Sequence, residues 1–321
     1  MNERLNSFLE SSFLSELLKK PQITDISYNG STIFYMDNAH GRCASDIKVN
    51  SQLVLDFLRQ ISNLSERQFS YSTPILDISF DRYRLNAVHP SIGRKKSEKV
   101  VTFSLRIASS EIRIKNDGLF MPFSLNEKLI SFLKDKKSIV IAGPTGSGKT
   151  ELQKYLLTNL SDFARVVAID SVMELNYVDY KDTLDVTCWQ VSPNNPNGSL
   201  NELIKNALRS NPDWLIVAES RGEEMNEVLT SAMTGHPIIT TLHAKSLEYI
   251  PERIACMIEM SNKAEKHEEI LRNVFEHIDV YILLGREVNK NGEVKRFIDE
   301  VGISENNHIK NIYKRSKHEN C

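Results

Sequence analysis

The feature that most constrains the fold is a glycine-rich segment between an apolar run and a stretch with helical periodicity. It fits the pattern G-x-x-x-x-G-K-[ST] in full. Its eight residues are Gly143, Pro144, Thr145, Gly146, Ser147, Gly148, Lys149 and Thr150. Residues 138–142 before it predict a buried strand, and residues 151–160 after it predict a helix. This order of elements predicts a phosphate-binding loop in a parallel sheet covered by helices.

The chemistry of this loop predicts a nucleoside triphosphate site. Glycines let the backbone approach an anion closely, so several N–H groups and the helix N-terminus can point at one phosphate. Lys149 is expected to reach the β- and γ-phosphates, and the Thr150 hydroxyl is expected to bind Mg²⁺.

Composition excludes several other classes of protein. The 321 residues leave room for two domains, and 40 Lys and Arg against 42 Asp and Glu provide no overall basic field for nucleic acid. The first ten residues lack the apolar segment of a secretory signal, and no apolar run reaches the ~18 to 20 residues of a membrane span. The four cysteines form no C-x-x-C pair, which argues against a zinc ribbon and indicates reduced thiols in a cytosolic protein.

The first part of the chain, residues 1–107, predicts a small α/β domain. Its expected helices cover residues 8–18 and 53–64. An Asn29-Gly30 turn predicts a hairpin of residues 23–28 and 31–36, and three further strands are expected at residues 75–80, 84–88 and 100–107. Residues 108–122 are polar or broken by glycine and proline, so they predict a linker.

The second part, residues 123–304, alternates apolar strands with helices, as is typical of a parallel sheet covered by helices. The apolar runs are at residues 138–142, 166–169, 214–218, 237–242 and 280–284. Residues 305–321 are polar and weakly basic, and they predict a frayed tail.

Charged and imidazole side chains follow two of these apolar runs. Glu219 ends the run 214–218, and hydrolysing P-loop proteins place a metal- and water-ordering carboxylate at such a strand end, on the edge of the phosphate loop. His236 and His243 bracket the next strand. Seven residues apart across a strand they are a poor metal pair, and the sequence contains no H-E-x-x-H.

The order of four blocks resembles the type II/type IV secretion ATPase superfamily, the traffic ATPases of secretion systems, pili and conjugation. The blocks are similar to that family's Walker A, Asp box, Walker B and His box, and they cover residues 143–150, 169–175, 208–222 and 234–244. The Arg-Gly after Glu219 and the Gly-His…Leu-His-Ala spacing resemble the type IV secretion and tight-adherence pilus branch. The N-terminal segments 23–30 and 84–88 resemble the family more weakly.

This resemblance implies a RecA-like P-loop NTPase domain with a parallel-rich sheet, preceded by a smaller α/β N-terminal domain. It implies that Glu174 is the general base for the attacking water and that Glu219 is the Walker B glutamate. Whether Glu174 or Glu219 performs the base chemistry stays open. His243 and His236 match the two histidines that sense or stabilise the γ-phosphate.

Three arginines have implied roles as well. Arg84 and Arg106 match arginines that the N-terminal domain lays over the nucleotide when the cleft between the domains closes. Arg221 matches the arginine after Walker B, which contacts another block or another subunit at the nucleotide site. An arginine supplied to developing phosphate charge can accelerate transfer by about 10³-fold or more.

The activity that the resemblance implies is Mg²⁺-dependent ATP hydrolysis by a motor that powers a type IV-like secretion, conjugation or pilus machine. The expected assembly is a homohexamer, peripheral at the cytoplasmic face and docked on a membrane-embedded machine. Sequence-specific nucleic-acid binding is not expected, because the charge balance gives no basic channel.

The sequence departs from the family pattern at three places, and three alternative functions are open. Asp170-Ser171 stands where the family usually has Glu-Asp, Ala218 where it commonly has Gly, and Glu151 where a second Thr is common. These departures leave open a weakly hydrolysing, ATP-gated structural ring. A nucleic-acid motor of RecA or hexameric helicase type would be stimulated by single-stranded DNA. A small-molecule kinase would need an acceptor pocket and an arginine-bearing lid.

Overall fold

The structure is a computed structural model that describes residues 2–109, 111–192, 195–261, 266–290 and 293–316. The chain divides into two compact units, Met1–Ser109 with Val288–Lys295, and Ser110–Glu287 with Arg296–Cys321. The division after Ser109 falls inside the segment 108–122. The sequence did not predict that Val288–Lys295 belongs to the first unit.

The first unit is built on a six-stranded antiparallel sheet with the order β3-β2-β1-β8-β5-β4. Its strands are β1 Ile23–Tyr28, β2 Ile33–Asp37, β3 Gly41–Ala44, β4 Ile75–Phe80, β5 Tyr83–Val88 and β8 Thr102–Ile107, and β6 Arg94–Lys95 and β7 Glu98–Lys99 form a separate ribbon. Its helices are α1 Asn2–Glu10, α2 Ser15–Leu18 and α3 Ser51–Leu64. Apolar side chains of α1 and α3 and of one sheet face form its core.

The predicted Asn29-Gly30 hairpin and the helix at residues 53–64 are confirmed, because β1 and β2 pair antiparallel and α3 covers Ser51–Leu64. The prediction of one helix over residues 8–18 is wrong. The Ser11 and Ser12 hydroxyls donate to the carbonyls of Ser7 and Leu9 at 2.7 and 2.6 Å, where the chain leaves α1. Serine side chains that bond to nearby backbone compete with helix continuation.

The second unit contains an eight-stranded sheet with the order β11-β10-β12-β13-β9-β14-β15-β16. Its strands are β9 Ile139–Ala142, β10 Arg165–Asp170, β11 Asp185–Gln190, β12 Trp214–Val217, β13 Ile238–Leu242, β14 Val280–Val288, β15 Val294–Glu305 and β16 His308–Lys314. Its helices are α4 Phe123–Lys134, α5 Lys149–Thr158, α6 Leu200–Ala207, α7 Met225–Met233, α8 Ile250–Glu259 and α9 His267–His277.

The first six strands in this sheet order, β11, β10, β12, β13, β9 and β14, run parallel, which confirms the predicted parallel-rich sheet. The side chains of β9, β12 and β13 are all buried, and those of β10 nearly all, because apolar clusters cover both faces of the sheet, as continuous apolar runs require. Since parallel strands end at one edge, the residues after β9, β10, β12 and β13 share that edge. The carboxyl edge of this sheet therefore carries the phosphate loop and three of the predicted blocks.

The end of the chain differs from the prediction of a frayed tail over 305–321. Residues 308–314 form β16, which pairs antiparallel with β15 through a turn whose residues Asn306 and Asn307 have φ of 54° and 60°. Asparagine tolerates this left-handed conformation, and an Asn-Asn turn between two runs is a hairpin signal. Ile312 and Tyr313 pack against the core of the second unit. Residues 317–321 lie outside the described residues.

Candidate nucleotide-binding site

The phosphate loop joins β9 to α5, as its motif predicts. Gly143, Gly146 and Gly148 have φ of 150°, 73° and 98°, which side chains of L-residues rarely allow. A Cβ atom at Gly143 would lie 2.8 Å from the Leu284 carbonyl oxygen, so the loop also needs glycine there for space. The Ser147 hydroxyl is fully buried and has no hydrogen-bond partner among the described residues. An unpaired buried hydroxyl in this loop fits a site that completes its polar contacts with a ligand.

The Lys149 side chain is folded back on the loop and is 8% exposed. Its Nζ donates to the carbonyls of Gly143 and Pro144 at 3.0 and 3.2 Å and lies 3.4 Å from Nδ1 of His243. Burial lowers the pKa of Lys149 to about 8, against the opposing attraction of Glu219. The amine therefore already lies at the loop, where a polyphosphate would offer it a stronger partner.

Glu219 follows β12 and is flanked by two side chains. Its Oε2 accepts from Arg221 at 2.6 Å, and its Oε1 lies 3.2 Å from Nε2 of His243, which follows β13. Burial opposes ionisation of Glu219, but the Arg221 hydrogen bond and charge, with His243 and Lys149, keep its pKa below the usual value. Because an ammonium can only donate, Nδ1 of His243 is the acceptor in the contact with Lys149, whereas Oε1 of Glu219 is buried and has no hydrogen-bond partner among the described residues. Lys149, His243, Glu219 and Arg221 form one connected chain.

The strand ends that carry these groups are tied together by buried polar contacts. The Ser220 and Thr240 hydroxyls are 2.9 Å apart, and the Thr241 hydroxyl donates to the Ala218 carbonyl at 2.7 Å. Gln153 of α5 donates to carbonyls of both β12 and β13 at 3.0 and 3.2 Å. These bonds fix the strands relative to the helix that begins at the phosphate loop.

Asp170 organises the loop that follows β10. Its carboxylate is buried and accepts from the backbone N–H groups of Val172 and Leu175 at 2.9 and 3.3 Å. Burial raises the pKa of Asp170, and these N–H donors, with that of Glu174, act against the increase. Asp170 is therefore a structural acid, and Glu174 is a half-buried residue of the loop that Asp170 holds.

Residues 85–284 match the family described as type II/IV secretion system protein. That match covers well over half of the chain. The chain belongs to this family.

Individual relatives and a solved structure are similar to the chain in sequence or in fold. An uncharacterized protein of Bacillus anthracis is 29% identical over 275 residues, which are 81% of this chain and 59% of that protein. The type IV secretion system protein VirB11 of Brucella suis is 30% identical over 176 residues, 53% of this chain and 47% of VirB11. The chain thus matches about half the length of these relatives. The ATPase DotB of Legionella pneumophila has the same fold at 19% identity, with a TM-score of 0.69 over 95% of this chain and 82% of DotB.

The structure does not bring every predicted residue of this secretion-system protein to the loop. His236 precedes β13, at the sheet edge opposite to the one where His243 follows it. The five residues of β13 span ~17 Å at ~3.3 Å per residue, so the two histidines lie at opposite ends of the strand. The Nδ1 of His236 lies 3.3 Å from the Thr234 hydroxyl.

Arg84 and Arg106 belong to the first unit, where they are directly opposite each other on β5 and β8. Arg84 pairs with Asp77 and Arg106 with Asp25, each at 3.3 Å. Like charges directly opposite on neighbouring strands repel, and each arginine has an acidic partner that offsets this repulsion.

Two arginines of the second unit that the sequence did not predict lie beside the phosphate loop. Arg296 of β15 donates from Nε to the Gly146 carbonyl at 2.8 Å, and the guanidinium of Arg286 of β14 lies next to Gly146. Both residues are more than 135 positions after the loop in a polar part of the chain. No local sequence pattern predicts this position, because the two arginines reach the loop only through the neighbouring places of β9, β14 and β15 in the sheet.

The residues that could hold Mg²⁺ are Thr150 in the first turn of α5 and Glu219 after β12. Hydroxyl and carboxylate oxygens are ligands of the kind that Mg²⁺ prefers, and Mg²⁺ commonly uses one or two protein groups together with phosphate oxygens and water. The described residues contain no cluster of three or more His, Cys, Asp or Glu that could hold a metal by itself. These donors therefore fit a metal that arrives with a nucleotide.

Within the described ranges, every helix is too short or too polar to cross a membrane.

Proposed function

We propose that this member of the secretion-system family is a Mg²⁺-dependent ATPase whose site is the phosphate loop of the second unit. One observation carries the proposal: Lys149, His243 and Glu219 converge at the carboxyl edge, with separations of 3.4 Å and 3.2 Å along the chain of contacts. An ammonium and a carboxylate beside a glycine loop are groups with which P-loop proteins bind and hydrolyse a triphosphate, and an imidazole between them can respond to the γ-phosphate.

The proposed chemistry begins with an exchange of partners at Lys149. Its three donor contacts to Gly143, Pro144 and His243 are given up for oxygens of the β- and γ-phosphates. His243 Nδ1 then loses its donor, so the imidazole is free to respond to the γ-phosphate while its Nε2 stays beside Glu219. When bound, Mg²⁺ would neutralise phosphate charge, held by Thr150 and Glu219.

Further roles extend to residues beyond this chain of contacts. Glu174 accepts the proton of the attacking water, in the role that the family resemblance implies. Arg84 and Arg106 supply positive charge to the phosphates, and Arg221 links Glu219 to a neighbouring block or subunit. Because His236 lies at the other end of β13, any γ-phosphate that it senses belongs to another subunit's nucleotide.

We further propose that the chain works as a homo-oligomeric, hexameric ring at the cytoplasmic face of a membrane, where it powers a type IV-like secretion, conjugation or pilus machine. The support is the family membership and the names of the relatives, which include a type IV secretion system protein. The formal charge of −2 favours docking on a protein partner over holding DNA in a basic channel.

The experiment that tests this function is ATP turnover per subunit as a function of protein concentration, with Mg²⁺ and without DNA. Turnover is expected to rise steeply with concentration and then saturate, because subunit contacts complete the site. A constant turnover per subunit would contradict the ring. Tight ATP binding without turnover would contradict hydrolysis and support a gated structural ring, and strong stimulation by single-stranded DNA would support a nucleic-acid motor.

The lowered pKa of Lys149 predicts a pH dependence of nucleotide affinity. The free amine is protonated below about pH 8 and loses its proton above it, and bound polyphosphate favours the ammonium and so raises its pKa. Binding above that pH therefore takes up a proton. The Kd for ADP is expected to stay flat up to about pH 8 and then weaken, approaching tenfold per pH unit.

Calorimetric titrations between about pH 6.5 and 9.5, in buffers of different ionisation enthalpy, measure both the Kd and the proton uptake. Lys149→Arg is the control, because an arginine stays protonated throughout this range. A Kd that is flat across the range in the wild-type protein would contradict the lowered pKa.

A further inference from the structure

The hairpin strands β14 and β15 place a second set of cations beside the phosphate loop. Arg296 is anchored by its bond to the Gly146 carbonyl. The guanidinium of Arg286 lies so close to the same glycine that a Cβ atom there would be 3.7 Å from Nη1 and 4.0 Å from Cζ. Both arginines belong to the same compact unit as the loop.

The charges of two other arginines act on Arg296. Burial lowers the pKa of Arg296, and the charges of Arg286 and Arg113 lower it further, while Glu151 opposes these effects. The Glu151 carboxylate is already occupied, since it accepts from the backbone N–H of Arg113 at 3.0 Å and pairs with Lys154 at 3.1 Å. Arg286 and Arg113 therefore add positive charge beside Arg296, and the carboxylate of Glu151, which opposes them, is already engaged.

Arg286 is the member of this group that is open to a ligand. Its side chain is exposed, and it forms no ion pair within the part of the chain that the structure describes. It also lines a cavity of ≈ 1290 Å³, whose wall includes Gly143, Pro144 and His243. A cation that lies against Gly146 and faces this cavity is placed to meet an anion bound by the loop.

We propose that Arg286 binds the phosphate groups of the nucleotide from within the same chain, as a second cation beside Lys149. This inference rests on the proposed function, because the ligand is the same polyphosphate. The alternative is that Arg286 is a solvated surface arginine that binds no ligand. The position of the Arg286 guanidinium against Gly146 argues against that alternative, since a flexible exposed arginine without a ligand would turn away from the like charge of Arg296. A polyphosphate removes the repulsion and gains a charge-assisted contact.

The test compares Arg286→Gln with Arg272→Gln, an exposed arginine of α9 that pairs only with Glu269 among the described residues. The probes are ADP and inorganic pyrophosphate, which lacks the nucleoside. Arg286→Gln is expected to weaken both by about tenfold or more, the scale of a lost charged hydrogen bond. Arg272→Gln is expected to leave both affinities within about twofold of the wild type. Arg286→Lys should recover part of the loss, because it restores the charge without the planar fork.

Each outcome decides the inference separately from the proposed function. Unchanged affinity for both probes in Arg286→Gln, with binding lost in Lys149→Ala, would overturn the role of Arg286 alone. A weaker affinity for ADP with an unchanged affinity for pyrophosphate would also overturn it, because the contact would then be to the nucleoside. If Lys149→Ala binds ADP normally, the phosphate-loop site itself fails.

Discussion

Replacement of Lys149 by alanine is expected to weaken ATP and ADP binding by about 10- to 100-fold, because a charged donor is worth about 1.5 to 3 kcal/mol at such a site. The wild-type amine is positioned at the loop in advance by the carbonyls of Gly143 and Pro144 and by His243. The truncated side chain can neither reach a phosphate nor compensate its charge. Isothermal titration with ADP measures the loss without any contribution from hydrolysis.

The matched control for this variant is Lys128→Ala, which removes an exposed lysine from α4 of the same unit. It is expected to bind ADP with an affinity within about twofold of the wild type. Circular dichroism and thermal melting of both variants identify any loss of folding, since Lys149 also serves two loop carbonyls. Tight ADP binding by folded Lys149→Ala would refute the assignment of the phosphate loop.

Glu174→Gln is expected to bind ATP as the wild type does and to lower kcat by about 100-fold or more, the usual contribution of a general base. The amide keeps the size of the side chain but cannot accept the proton of the attacking water. Glu174 lies on the loop that the buried Asp170 holds through backbone N–H groups, so the substitution leaves that support intact. Phosphate release under saturating Mg-ATP measures kcat.

Two further variants make this result specific. Glu268→Gln makes the same replacement of a carboxylate by an amide at an exposed residue of α9, and it is expected to leave kcat unchanged. Glu219→Gln removes the carboxylate that faces His243 and accepts from Arg221, so it should affect both nucleotide affinity and kcat. Near-normal turnover in Glu174→Gln combined with loss of turnover in Glu219→Gln would assign the base chemistry to Glu219.

The parts of the fold that the sequence predicted are those that local patterns encode. The apolar runs at 138–142, 214–218 and 237–242 became β9, β12 and β13, because strands buried on both faces must be continuously apolar. Their shared direction then brings Lys149, Glu219 and His243 to one edge. The motifs were therefore enough to predict that these three groups lie at one edge of the sheet.

The parts that the sequence did not predict depend on long-range pairing. The strands β11, β15 and β16 carry many polar side chains, so no apolar run marked them. Arg286 and Arg296 reach the loop only because β14 pairs with β9, a contact between segments about 140 residues apart. The position of His236 follows from the strand length, which the motif comparison had not used.

ATP turnover by the wild-type chain, measured beside Lys149→Ala and Glu174→Gln at saturating Mg-ATP, tests the central claim most directly. We expect phosphate release by the wild type that ceases on chelation of Mg²⁺, with ATP bound but hydrolysed about 100-fold more slowly in Glu174→Gln and bound much more weakly in Lys149→Ala. Equal phosphate release by all three proteins would contradict it, because hydrolysis would then occur without the phosphate loop.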